Sequence, residues 1–325
     1  MRRRRYTRGM LDRLFTTAAA LSLPGIAATV AFERLIRQRL FYTGEWHPEP
    51  PDALGVRYEE AHIYTADGLQ LQGWFFPAGA DAPTILFMHG TSYNASDMWV
   101  TEERARAFSE FLRGIACNFL IFDYRGYGRN PGQPTEEGTY TDAAAALGWL
   151  YGRQDVDPMM IFLYGFSLGT GVAAELAMRE PSAGLILRAP FSSIRDVIID
   201  RYPRMGLLLA AAPWLPLTNY DTLSKVRRLD RPLLVMHGDG DMTVLHHIGR
   251  RVFEAAPEPK RFVSFPDTNH SDIRNDLVVP AVRDFVRDVV AGAFPDAGGQ
   301  RREVRAASAL SVPHSDLRPP ASTSG

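Results

Sequence analysis

Three short stretches of this chain carry residue types that could make and break an acyl bond. Residues 165–169 read Gly-Phe-Ser-Leu-Gly, inside the apolar run MIFLYGF and ahead of a helical pattern. A serine hydroxyl is a weak nucleophile, so it needs an adjacent base and a fixed approach. A G-x-S-x-G turn between strand and helix supplies that approach. It holds Ser167 in a strained backbone conformation, flanking glycines relieve the crowding, and the N–H of Leu168, at a helix start, points at developing negative charge. Downstream, PLLVMHGDGDMTV reads as a strand followed by Asp239 and Asp241, and RFVSFPDTNHSDI as a strand followed by a loop carrying His270. Ser, then Asp, then His is the chain order this turn requires. Asp241 is the choice of acid because it lies further into its loop and can reach across. Its rivals Asp239, Asp267 and Asp272 read as turn and helix-cap residues. In this scheme His270 takes the Ser167 proton and returns it to the leaving group, while Asp241 fixes the imidazole tautomer.

Such a site also needs a second backbone donor for the oxyanion, from the loop after the third strand. TILFMHGTSYNASDM fits, with the His89-Gly90 turn aiming the N–H of Thr91, or that of Ser92, at the substrate oxygen. His89 itself reads as structural. Gly169-Thr170-Gly171 with Ala174 also spells a dinucleotide fingerprint, which requires an acidic residue at the end of the next strand to hold the ribose. That strand, GLILRAP, ends in Arg188 and Ala189, and the glycines fall on the fifth apolar run rather than the first, so a nucleotide role is set aside. His246 and His247 are adjacent and cannot both face one metal from a helix. No metal-ligand spacing is present, and no cofactor is expected.

These residues must be positioned by a sheet. VRYEEAHIYTADG and LQLQGWFFPA alternate in period two about Asp67-Gly68, a hairpin signal. TILFMHG, NFLIFDY, MIFLYGF, GLILRAP and PLLVMHG are near-continuous apolar runs, as for strands buried on both faces of a parallel sheet. Helical patterns span 101–114, 139–151, 168–180 and 276–292. The alternation predicts a doubly wound α/β architecture, with chemistry at the carboxyl ends of the strands. His89-Gly90, Asp123, Ser167, Asp241 and the His270 loop all fall there.

The 325 residues are 46% hydrophobic and 22% charged with a net charge of −1, ordinary for a protein with a sizeable core and without a global signal for a polyanionic partner such as nucleic acid. The one cysteine, Cys117, excludes an internal disulfide and reads as a buried, inert thiol beside FLIFD. Charge is uneven at the N-terminus: six arginines precede an uncharged run from Leu14 to Phe32, and three follow it closely. As a helix that run would reach about 28 Å, close to the roughly 30 Å of a bilayer core, and the arginine bias places the rest of the chain outside the cytoplasm. A cleaved signal peptide ending near Ala27 is the alternative, leaving a secreted or periplasmic domain. The stretch from Pro295 reads as a disordered tail.

Taken together, the motifs resemble the α/β-hydrolase superfamily, and within it the signal-anchored serine hydrolases related to depalmitoylases and monoacylglycerol-lipase-like enzymes. The resemblance runs over about residues 28–292 and rests on TADGLQLQGWFFPA, MHG, FDYRGYGRNPGQPTEEGTYTDAAAALGWL, GFSLGTGVAAELA, APFSSIRDV, LLVMHGDGDMTV and NHSD. It departs at TSYNASDMWV, where the family has a short Asn-Ala-Gly-Asn-type turn. It implies an eight-stranded, mostly parallel sheet with helices on both faces, Ser167 as nucleophile, Asp241 as acid and His270 as base. It also implies an uncleaved anchor. The division expected is an anchor over 1–40, a hydrolase domain over 50–292 and a tail over 293–325. A cap or lid spans 191–228, whose apolar run Gly206–Leu217 is either a core helix or an acyl-chain wall. The reading is a serine hydrolase acting on a carboxylic ester or thioester, a small acyl substrate, through an acyl-enzyme. A peptidase or amidase with the same triad, a cofactor-free non-hydrolytic enzyme, and a binding protein on the same scaffold are the alternatives.

Overall fold

The computed structural model describes Arg34, Leu40, Phe41 and residues 54–92, 94–201, 218–272 and 274–294. The arginine-flanked apolar run, the whole of the expected cap's apolar run Gly206–Leu217 and the tail from Pro295 lie outside these residues. Among the described residues no helix is long and apolar enough to cross a membrane.

Eight strands form one sheet in the order β1-β2-β4-β3-β5-β6-β7-β8. They are β1 Glu59–Tyr64, β2 Gln70–Phe76, β3 Thr84–Met88, β4 Asn118–Phe122, β5 Ile161–Phe166, β6 Gly184–Arg188, β7 Leu233–Gly238 and β8 Lys260–Phe265. β2 runs antiparallel to both neighbours and the other pairs are parallel, with Leu86 beside Leu163 and Gly165 beside Leu187 in register. The expected mostly parallel eight-stranded sheet is therefore the fold. β3, β4, β5 and β7 are buried at every position, which is why their sequences show no alternation. β1 and β2 meet at the Asp67-Gly68 turn, where Gly68 has φ +88°.

Helices cover both faces. α1 (Glu102–Ile115) and α7 (Asn275–Val290) pack on one side, closing a core that includes Phe87, Phe108, Phe119, Phe162 and Phe285. α2 (Glu136–Tyr151), α3 (Leu168–Arg179) and α6 (His246–Ala255) close the other, around Leu86, Leu120, Leu163, Val172 and Val235. Each fully buried Leu or Phe side chain contributes about 1.5–3 kcal/mol, so the two layers fix the sheet between them. Thr101 and Thr135 cap α1 and α2 by accepting the N–H of Arg104 and Gly138. Within the expected cap, α4 (Ile194–Arg201) and α5 (Thr222–Val226) are described. The segment leading into α5 packs on α2, where the Glu136 carboxylate accepts the N–H groups of Asn219 and Tyr220 at 2.7 and 2.8 Å. Cys117 is buried, and burial pushes its thiol pKa up to about 12.

Candidate active site

Ser167 stands between the last residue of β5 and the first of α3, with φ 52° and ψ −117°. That is a strained conformation for a non-glycine residue, held by packing on both sides. The flanking glycines are required by contact. A side chain at Gly169 would collide with the Met88 carbonyl of β3, and one at Gly165 with the Gly169 carbonyl. β5, β3 and the start of α3 can approach this closely only with glycine at both positions. Ser167 is 9% exposed, at the carboxyl edge of the sheet as the architecture predicts.

His270 and Asp241 arrive from loops after β8 and β7. His270 Nδ1 lies 2.6 Å from Asp241 Oδ2, and Nε2 lies 3.0 Å from Ser167 Oγ. The structure thus brings together all three side chains chosen from spacing. Because a carboxylate can only accept, Nδ1 donates to Asp241, which leaves Nε2 to accept the Ser167 hydroxyl proton. The other Asp241 oxygen, Oδ1, accepts the N–H groups of Thr243 and Val244 at 2.8 and 2.9 Å. Burial pushes the Asp241 pKa up, but the hydrogen bonds from His237 and His270 outweigh it and hold the carboxyl well below the usual range. Asp241 is therefore an anion buried against the imidazole. The rival Asp272 takes the Asn269 N–H at 2.7 Å, a turn role.

Two neighbours of this chain were not read from the sequence. His237, fully buried at the end of β7, donates from Nε2 to the Val244 carbonyl at 2.8 Å, and the same nitrogen lies 3.3 Å from Asp241 Oδ2. The Phe166 ring lies 5.3 Å from the His270 ring. The HGDGD run places His237 on the strand before the acid, but its contact with Asp241 depends on how the loop folds back.

The candidate for a second oxyanion donor, the Thr91 N–H, lies in the loop after β3. Gly90 packs against Ser167, since an added side-chain atom would sit 3.3 Å from Ser167 Cβ. Three successive carbonyls of this loop are pinned. Tyr124 Oη donates to His89 O at 3.2 Å, His89 Nδ1 donates to Gly90 O at 2.8 Å, and Tyr127 Oη donates to Thr91 O at 3.1 Å. In a trans peptide the carbonyl and the next N–H point in opposite directions. Holding Gly90 O therefore sets the direction of the Thr91 N–H, and holding Thr91 O sets that of Ser92. Among the described residues the Thr91 N–H meets no acceptor. Leu168 opens α3, where no helix carbonyl can reach its N–H.

His89 is buried, and desolvation lowers its pKa to about 4, so the ring is neutral and acts as a hydrogen-bonding strut. Its Nε2 faces Asp123 Oδ1 at 3.7 Å. Asp123 Oδ1 also accepts the Ala95 N–H at 2.6 Å, and burial raises this carboxyl to about 7. The 123–130 loop that carries these tyrosines is itself fixed. The Arg125 guanidinium bonds the buried Asp142 of α2 at 2.7 and 2.9 Å and Asp67 of the β1–β2 turn at 2.7 and 3.1 Å. Among the described residues no cluster of His, Cys, Asp or Glu is placed to hold a metal ion.

Comparison with known proteins bears on the family and the fold. The model of the alpha/beta hydrolase family matches residues 85–282. Rv2307c, an uncharacterized protein of Mycobacterium tuberculosis, is 38% identical over 285 residues, which cover 83% of this chain and 95% of that protein. The lysophosphatidylserine lipase ABHD12 of Rattus norvegicus is 27% identical over 272 residues, 74% of this chain and 66% of its own. Among solved structures, the Pyrococcus furiosus esterase Pf2001 superposes with a TM-score of 0.61 at 19% identity, over 77% of this chain and 98% of that one. The chain belongs to the alpha/beta hydrolase family and carries its fold.

Proposed function

We propose that the protein is a serine hydrolase that cleaves a carboxylic ester or thioester through a covalent acyl-enzyme. The observation that carries this reading is the unbroken hydrogen-bond chain from Asp241 through His270 to Ser167, at 2.6 and 3.0 Å. Ser167 Oγ attacks the acyl carbon as its proton passes to His270 Nε2, and Asp241 stabilises the resulting imidazolium. The carbonyl oxygen, now an anion, is received by the N–H groups of Leu168 and Thr91. His270 returns the proton to the departing oxygen or sulfur, then repeats both steps with water to release the acid. The relative described as a lysophosphatidylserine lipase supports an acyl-ester substrate. In this reading residues 1–40 anchor the domain 50–292 outside the cytoplasm, 191–228 form a cap over the pocket and 293–325 are a tail. The test is hydrolysis of p-nitrophenyl esters of increasing acyl length by the wild type beside Ser167→Ala. Turnover that disappears in the variant supports the mechanism. Equal turnover by a folded Ser167→Ala protein would overturn it.

A further inference from the structure

Beside the His270 ring, on the α1/α7 face of the sheet, a cavity of about 120 Å³ descends into the core. Its walls are aromatic: Phe87, Phe108, Phe111, Phe119, Tyr164 and Phe166. An apolar cavity of roughly 150 Å³ holds benzene, so this well, somewhat smaller, is on the scale of part of a ring or a short alkyl group. Two of its residues tie it to the proposed chemistry. Phe166 precedes the nucleophile, Ser271 follows the base, and Phe166 lies 5.3 Å from the His270 ring.

The rim carries charge that the aromatic walls do not explain. Arg104 and Asp97 face each other at 3.6 Å, so their charges cancel. Arg188, at the end of β6, has no such counterion. Its Nη2 donates to the Asp272 carbonyl at 2.6 Å and its guanidinium lies 5.0 Å over the Phe166 ring, but among the described residues no carboxylate pairs with it. Tyr164, buried in the wall, registers this neighbour: burial raises its phenol pKa, and the Arg188 charge and hydrogen bond oppose the rise. A half-buried guanidinium held by a carbonyl and an aromatic face keeps donors available for a bidentate anion.

We propose that this well receives the leaving half of an anionic ester, with an apolar ring or short chain inside and a carboxylate or phosphate against Arg188. The inference rests on the hydrolase reading for its direction. His270 Nε2 must hand its proton to the leaving atom, so the leaving group lies on the His270 side of Ser167, where Phe166 and Ser271 line the well. The acyl half then occupies the opposite side of Ser167.

Binding to the full-length Ser167→Ala protein, measured by calorimetry, separates the pocket from the chemistry. The probes are phenyl phosphate, benzoate, phenol and inorganic phosphate. Phenyl phosphate and benzoate should bind at least about tenfold more tightly than phenol, the contribution expected of a hydrogen bond to a charged group. Inorganic phosphate, lacking the ring, should bind more weakly than phenyl phosphate. Adding Arg188→Gln should weaken both aromatic anions by a similar factor. Ala107→Phe, which fills the well and leaves Arg188 in place, should weaken phenyl phosphate while leaving inorganic phosphate unchanged. In protein with Ser167 intact, kcat/KM should favour the acetate ester of 3-hydroxybenzoate over phenyl acetate by about tenfold, a ratio that falls to about one in Arg188→Gln. Equal binding of phenol and benzoate, or undiminished binding by a folded Arg188→Gln protein, overturns the pocket. Anion binding without hydrolysis of any ester would keep the pocket and defeat the hydrolase reading. Hydrolysis with neither anion binding nor anion preference would do the reverse.

Discussion

Asp241→Asn separates orientation from mere presence at the site. Asp241 Oδ1 accepts two backbone N–H groups, from Thr243 and Val244. An amide nitrogen at that position would face two donors, so the variant must keep its oxygen there and turn its NH2 toward His270 and His237. The NH2 then donates to His270 Nδ1, which moves the ring proton to Nε2. With a proton on Nε2, the imidazole cannot accept from Ser167 at 3.0 Å. The His237 Nε2 proton, 3.3 Å from the same atom, adds a second donor–donor clash. Wrong-tautomer variants of this type in a serine protease lose about 10⁴-fold in kcat, or about 5 kcal/mol of transition-state stabilisation. The same loss is expected here, with the thermal midpoint lowered by only a few degrees, since one carbonyl-type acceptor is retained. Steady-state hydrolysis of p-nitrophenyl acetate near neutral pH, beside a thermal melt, measures both. A loss below tenfold in a folded variant would refute the tautomer argument.

Other outcomes follow from the same contacts. Tyr127→Phe releases Thr91 O and with it the direction of the Ser92 N–H, while the Gly90–Thr91 peptide stays pinned by His89, so kcat and the affinity for a trifluoromethyl ketone should change by less than about threefold; a tenfold or larger loss of both would move the second oxyanion donor from Thr91 to Ser92. Gly169→Ala drives a side chain into the Met88 backbone and should lower unfolding free energy by about 3 kcal/mol, despite alanine's better helix propensity, as read by urea denaturation. The Asp123 carboxyl, raised to about 7 when folded against about 3.9 unfolded, contributes stability that is fully present below pH 4 and is lost as pH rises through 7. Relative to Asp123→Asn, wild-type unfolding free energy should therefore decline by roughly 1.4 kcal/mol per pH unit between about pH 4 and 7; parallel curves would place that carboxyl's titration elsewhere.

What the sequence discloses here follows the range of each interaction. The Ser167 turn is local, and its glycines, strand and helix sit within a dozen residues, so it is legible by itself. Asp241 and His270 lie far along the chain, but the order of strands fixes which loops reach Ser167, and each loop offers few titratable residues. The parallel strands were readable as unbroken apolar runs because both their faces are buried. The anchoring of the loop after β3 was not readable. Tyr127 meets the Thr91 carbonyl across 36 residues, and Arg125 meets Asp67 across 58. Nothing in residue type says that a tyrosine on one loop will hold a carbonyl on another; this depends on the side-chain directions that the β4 turn imposes. The His237–Asp241 contact is short in sequence but needs the loop to fold back over the strand end. The aromatic well escaped for a related reason: its aromatic walls come from three strands and one helix, each of which reads alone as ordinary core.

Trapping of the nucleophile tests the central claim most directly. Wild-type protein and Ser167→Ala are treated with a fluorophosphonate, and the intact mass and modified peptide are read by mass spectrometry. The account predicts a single adduct, formed with loss of fluoride, on the Ser167 oxygen of the wild type, with none on the variant. An unlabelled but folded wild type, or an adduct that persists at another residue in Ser167→Ala, would contradict it.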